Sequence, residues 1–125
     1  MNLPDFYLSP EGNLMLQTVR TFVDREIIPF CKQIDEENGE AVVQRIFRGI
    51  SSLGLFQAHF PAKYGGLDLP SPYLAPLLRE ELSRGDGGIS VAWSVTGWAF
   101  RPAILANNET VLKTFVPEFC HDEPQ

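Results

Sequence analysis

"ISVAWSVTGWAFRPAIL", residues 89–105, decides the fold. The stretch carries one charge, Arg101, and is otherwise apolar or small nearly all the way round a helical period. A helix without a polar face is buried on several sides, so this segment is expected at the centre of the fold. Neither here nor elsewhere does the chain show the alternation of a half-buried strand.

On the amino-terminal side, Leu74, Leu77, Leu78 and Leu82 mark a helix between a Ser71-Pro72 start signal and Gly85, with Asp86 placed to cap the helix that follows. Pro76 falls near its first turn, where proline is tolerated. Val43, Ile46, Phe47, Ile50 and Leu53 form an earlier stripe that stops at Gly54. Ser9-Pro10 opens a first helix with Leu16, Val19, Val23 and Ile27 on one face. Pro29 should bend or break it, since an interior proline removes a backbone bond and clashes with the preceding turn. Phe30 and Ile34 resume it before Gly39. On the carboxy-terminal side, Asn107 or Asn108 caps a fifth helix carrying Val111, Leu112, Phe115, Val116 and Phe119. The expected fold is all-α, a bundle of about five helices around a central apolar helix, with residues 1–125 as one domain.

The heaviest turn signal is "FPAKYGGLDL", residues 60–69. Gly65 and Gly66 can take positive φ, and Pro61 fixes the approach without supplying an N–H.

Composition bounds the function. The chain has 125 residues, 44% hydrophobic and 21% charged, which suits a globular domain rather than a disordered or fibrous one. Sixteen acidic against ten basic residues give a formal charge of −6, which argues against a nucleic-acid partner and gives no attraction to anionic lipid. Cys31 and Cys120 lack the spacing of a zinc site or disulfide framework and read as idle thiols. The start "MNLPDFYLSPEG" has neither a basic nor an apolar signal region, and no apolar run is long enough to span a membrane. A soluble, cytoplasmic protein is expected.

Chemistry-bearing motifs are few. "GDGG" at 85–88 lacks the lysine and preceding strand of a phosphate loop, and neither HExxH nor GxSxG occurs. His59 reads as a structural or half-exposed histidine, and His121 beside Cys120 does not make a catalytic pair merely by adjacency. Glu80, Glu81, Arg79 and Arg84 read as a solvated charged face. The one hint of a ligand is the apolar helix: Ala92, Ser94, Thr96, Gly97 and Ala99 leave room beside it, and Trp93, Trp98 and Phe100 supply flat walls. Small residues also serve close helix packing.

Order and spacing carry a resemblance. "LSPEGNLMLQTVRTFVDREIIPFCKQID", "LGLFQAHFPAKYGGLDL", "LLREELSRGDGGISVAWSV" and "NNETVLKTFVPEF" follow one another as in the amino-terminal helical domain of acyl-CoA dehydrogenases, which the chain resembles over nearly its whole length. The most specific parts are the P-x-x-Y-G-G turn at Pro61 to Gly66 and the E-E-L-[AS]-R-x-D segment at Glu80 to Asp86, at the family's separation. On this reading the marked bend sends the third helix on its way, and Tyr64 is a packing residue.

The resemblance implies a larger FAD-dependent oxidoreductase that converts an acyl-CoA thioester to the trans-2-enoyl-CoA, with this chain contributing part of the acyl-chain pocket wall. The family's flavin-contacting T-E-P segment and catalytic glutamate fall outside these residues, so no catalytic or flavin-binding role is carried over and the 125-residue piece alone is expected to be inactive. The carried-over substrate-lining positions are Ser94, Val95 and Trp98, and the indole of Trp98 implies a short, branched or aromatic acyl group. The resemblance also implies an electron-transfer flavoprotein as acceptor, a dimer or tetramer when intact, and a mitochondrial matrix location if the source is eukaryotic. Two alternatives stand beside it: a non-catalytic helical partner or assembly domain, and a same-fold acyl-CoA oxidase or flavin monooxygenase.

Overall fold

The computed structural model describes residues 8–36 and 38–120. Every regular element among them is helical, so the all-α expectation holds. The chain divides into two compact units, Met1–Ile46 with Leu69–Val91, and Phe47–Asp68 with Ala92–Gln125.

In the first unit, α1 (Pro10–Phe22) begins where the sequence places it. Ser9 Oγ accepts the N–H of Gly12 at 3.2 Å, and Pro10 takes the first helical position, where its missing N–H has no partner to lose. Leu16, Val19, Val23 and Ile27 are all buried. Pro29 interrupts the α-helical ladder, as expected. The helix widens to a π-helical turn over Val23–Ile27 and tightens to a 3₁₀ turn over Ile28–Phe30 before α2 (Cys31–Ile34), so the irregularity is absorbed by a change of pitch.

A further helix, α3 (Glu40–Ser52), follows, and α4 (Leu74–Gly85) packs on α1 and on the π-helical turn. Its buried stripe is Leu74, Leu78 and Leu82. The Ser71-Pro72 signal marks a turn rather than the helix start. Ser71 Oγ accepts the N–H of Tyr73 at 3.2 Å, and the helix begins at Leu74. The charged run on α4 is also not simply solvated, because Glu81 is 6% exposed and paired with Arg20. Asp86 caps α5 (Gly87–Leu105) as expected, its Oδ1 accepting the N–H of Ile89 at 2.8 Å.

In the second unit, the marked bend is tied by its own backbone. Gly65 sits at φ +93° with its N–H on Ala62 O at 2.9 Å, and Gly66 N–H reaches Pro61 O at 3.1 Å. Asp68 Oδ1 accepts the N–H of Ala62 at 3.2 Å, closing the bend from the far side. Tyr64 is thereby turned into an apolar cluster with Phe60, Leu112 and Val116. Asn108 Oδ1 accepts the N–H of Val111 at 3.2 Å to start α6 (Glu109–Phe115), and a 3₁₀ turn over Val116–Phe119 carries Pro117. Only part of the expected stripe on this helix is covered, since Leu112 and Val116 are buried while Phe115 is 50% exposed.

Candidate functional site

Within the second unit, α5 has two faces of different fate. Trp93 is 1% exposed and donates its indole N–H to Leu55 O at 3.1 Å, and Ser94 is wholly buried beside it. On the other face Val95 is 48%, Trp98 53% and Leu105 71% exposed. Positions 95, 98, 102 and 105 recur every three or four residues, which aligns Val95, Trp98, Pro102 and Leu105 in one stripe along the helix. The expectation that α5 is buried on several sides is therefore corrected. A helix needs an apolar neighbour for each apolar face, and this one keeps about half or more of the surface of Val95, Trp98 and Leu105 exposed.

Of the three positions expected to line a substrate pocket, Val95 and Trp98 lie one turn apart and half-exposed, and Ser94, one turn before Trp98, is buried. The small residues are divided as well. Ala99 is exposed beside Trp98, but the space at Gly97 is already filled by the His59 ring: a Cβ there would meet Nδ1 at 2.5 Å. Phe100 is part of the interior, edge-on to Phe60 at 5.3 Å and to Phe119 at 5.5 Å.

His59 occupies the inner side of this segment. Its Nε2 lies 3.0 Å from the carbonyl oxygen of Trp93, and its ring centroid is 4.3 Å from the Trp93 ring. A carbonyl only accepts, so Nε2 carries the hydrogen. The sequence alone gave this histidine a structural or half-exposed reading; its partners, 34 residues away, leave no local signature.

Other candidate chemistry is not assembled. Among the described residues no three His, Cys, Asp or Glu side chains are grouped to hold a metal. Cys31 donates its thiol to Gly85 O at 3.1 Å, and burial pushes the Cys120 thiol above its ordinary value, so neither is poised as a nucleophile. The Cys120–His121 neighbourhood is only half testable, because His121 lies outside the described residues. No helix among the described residues is long and apolar enough to cross a membrane. What the exposed face of α5 offers is an apolar wall with an indole across it. It can orient and desolvate an apolar group, and it holds no acid–base pair.

Comparison with known proteins gives a consistent answer. Glutaryl-CoA dehydrogenase of Desulfococcus multivorans is 32% identical over 95% of this chain and 31% of its own length. Mitochondrial isovaleryl-CoA dehydrogenase of Pongo abelii is 25% identical over 93% of this chain and 27% of its own. Mitochondrial short-chain specific acyl-CoA dehydrogenase of Homo sapiens is 33% identical over 74% of this chain and 22% of its own. The chain thus spans about a third or less of the length of these curated relatives. No solved structure gives a significant match. Residues 9–123 match the acyl-CoA dehydrogenase amino-terminal domain, and the chain belongs to the acyl-CoA dehydrogenase family as that domain.

Proposed function

We propose that this chain is the amino-terminal helical domain of an FAD-dependent acyl-CoA dehydrogenase, and that the exposed face of α5 is a wall of its acyl-chain pocket. The observation that carries the reading is the apolar stripe through Val95, Trp98 and Leu105, each about half exposed or more, in a chain of the acyl-CoA dehydrogenase family. Val95 and Trp98 would touch the acyl group, with Ser94, one turn before Trp98, buried at the edge of the same wall. The indole of Trp98 takes up room that a smaller side chain would leave to a long chain, which favours a short, branched or aromatic acyl group.

The same face does not fit a flavin. Among Val95, Trp98, Ala99, Pro102 and Leu105 the indole N–H of Trp98 is the one side-chain hydrogen-bonding group, whereas a flavin requires several polar contacts to its ring edge and pyrophosphate. In the proposed enzyme the flavin supplies the hydride acceptor from protein outside these residues. This chain's part is to bind the acyl group, align it and exclude water. Acyl-CoA is the proposed substrate, an electron-transfer flavoprotein the proposed acceptor, and a cytoplasmic or matrix homo-oligomer the proposed setting.

Turnover of straight and branched thioesters from butyryl to palmitoyl by the flavoprotein carrying this domain tests the reading. Preference for short or branched chains that relaxes toward longer ones in Trp98→Ala supports it, and a wild-type preference for long straight chains overturns it. Oxygen consumption matching turnover would instead assign the chemistry to an oxidase or monooxygenase of the same fold. Catalytic silence combined with stable docking of the stripe on another protein would favour the assembly-domain reading.

A further inference from the structure

Gly97 lies mid-helix, where glycine costs helix stability relative to alanine. Its presence is explained by what lies against it. A Cβ at this position would stand 2.5 Å from His59 Nδ1 and 3.0 Å from Cε1 and Cγ, so the imidazole rests flat on the bare backbone. The other nitrogen, Nε2, donates to Trp93 O at 3.0 Å. The helical ladder pairs that carbonyl with the N–H four residues on, which is the N–H of Gly97 itself. One side chain therefore bonds the backbone at Trp93 and packs against it one turn on, at the Cα of Gly97. The Trp93 ring, 4.3 Å away from the imidazole at its centroid and bonded through its indole N–H to Leu55 O, closes the third side.

The residue after Gly97 is Trp98, about 100° further round α5, and its side chain is half-exposed. A grip on the backbone at 93 and 97 fixes the rotation of the helix about its axis. That rotation decides where Val95 and Trp98 point, since a turn of one residue would carry them off the exposed face. We propose that His59 is a positioning residue for acyl-chain selection, acting through Trp93 and Gly97 to hold Trp98 at the pocket wall. The inference rests on the pocket-wall reading above and adds to it a residue that touches neither substrate nor flavin.

The test uses His59→Ala, His59→Gln, Gly97→Ala and the double variant His59→Ala/Gly97→Ala. Glutamine keeps an N–H donor for the Trp93 carbonyl, and in the double variant the new methyl occupies part of the space the imidazole leaves. In the flavoprotein, His59→Ala and Gly97→Ala are expected to raise KM for the preferred acyl-CoA about tenfold and to flatten the chain-length profile, with kcat changed far less and His59→Gln largely restoring the profile. Acrylamide quenching of Trp93 emission, read in a Trp98→Phe background of the 125-residue chain, should rise when His59 is removed, because the indole loses its cover.

A merely structural histidine would lower the melting temperature and depress all substrates alike. A wild-type chain-length profile in His59→Ala, with Trp93 opened to quencher, overturns this inference while leaving the pocket wall intact. If Trp98→Ala leaves the profile unchanged, the wall reading itself fails and this role with it. Should His59→Ala not fold, His59→Gln and the double variant decide by the same KM pattern.

Discussion

Arg20 on α1 donates its Nε–H to Glu81 Oε1 on α4 at 2.9 Å, across 61 residues of sequence. Arg20 Nη2 also bonds the same oxygen, and Arg84 Nε donates to Oε2 at 2.9 Å while its Nη2 reaches Asp24 Oδ1 at 2.8 Å. The Glu81 side chain is 8% exposed, those of Arg20 and Arg84 37% and 41%. The carboxylate is therefore the desolvated member, and both guanidiniums keep a route to water. Glu81→Gln should destabilise the chain by about 1–3 kcal/mol, the cost of losing charge-assisted bonds whose donors can partly re-solvate. Urea unfolding of the two proteins measures it, and an unchanged midpoint would mean the network contributes nothing.

The same residue sets a pH dependence. Burial pushes the Glu81 carboxyl up, but bonds from Arg20 and Arg84 and their charges outweigh it, leaving it below its ordinary value of 4.5. A carboxyl lowered by folding stabilises the native state while ionised. That contribution is complete above its unfolded value and is lost as pH falls through the folded one. The stability gap between wild type and Glu81→Gln should hold from neutrality to about pH 5 and close below about pH 4. A gap that persists undiminished into strong acid would overturn the assignment.

What was legible in the sequence was local. Ser9-Pro10, Asp86 and Asn108 cap helices through bonds to N–H groups three residues on, and such bonds leave a signature in the residues that make them. The stripe Leu16, Val19, Val23 and Ile27 was legible because one helix face meets one core. Glu81 was misread as part of a solvated run because its partner on α1 is remote in sequence. The outer face of α5 was misread for a different reason: apolar character says that a face is to be covered, and does not say by which molecule. Of the expected pocket positions, Val95 and Trp98 share that outer face, whereas burial of Ser94 depends on packing that the spacing does not encode.

Trp93 should be the costliest single aromatic to replace in the second unit. It is 1% exposed, in tilted ring contact with His59 and bonded to Leu55 O. Trp93→Phe removes one of two donors to the Leu55 carbonyl, the Ala58 N–H remaining at 3.3 Å, and should cost about 1 kcal/mol for the lost bond. Trp93→Ala adds a cavity and should cost about 3–5 kcal/mol. Denaturant midpoints for the two variants give the order, and a phenylalanine variant as unstable as the alanine would assign the effect to the hydrogen bond rather than to packing.

Two glycines in helices should respond to alanine with opposite signs. At Gly12 a Cβ would meet Leu8 and Ser9 side-chain atoms at 3.5–3.6 Å, ordinary contact distances. Gly12→Ala should stabilise by about 0.5–1 kcal/mol through the lower entropy of the unfolded chain. At Gly85 a Cβ would stand 2.8 Å from Val23 Cγ1 and 2.9 Å from Ile27 Cγ2, where α4 approaches the π-helical turn most closely. Gly85→Ala should destabilise by about 1–3 kcal/mol from overpacking, despite its better helix propensity. Thermal melts of both variants decide it, and equal signs would refute the close approach.

Tyr64 is 7% exposed within the cluster of Phe60, Leu112 and Val116, and its hydroxyl has no hydrogen-bond partner among the described residues. The ring packs as its neighbours do, but an unpaired buried hydroxyl costs about 1–3 kcal/mol relative to its hydrated state. Tyr64→Phe keeps the ring and removes only the oxygen, so it should leave stability unchanged or raise it by up to about 1 kcal/mol. Tyr64→Ala empties the site and should lose about 3–5 kcal/mol. The pair separates packing from polarity. If the phenylalanine variant loses as much as about 1 kcal/mol, the hydroxyl must hold a bond in solution, to an ordered water or to the Lys63 ammonium, which lies 4.8 Å from the ring centroid.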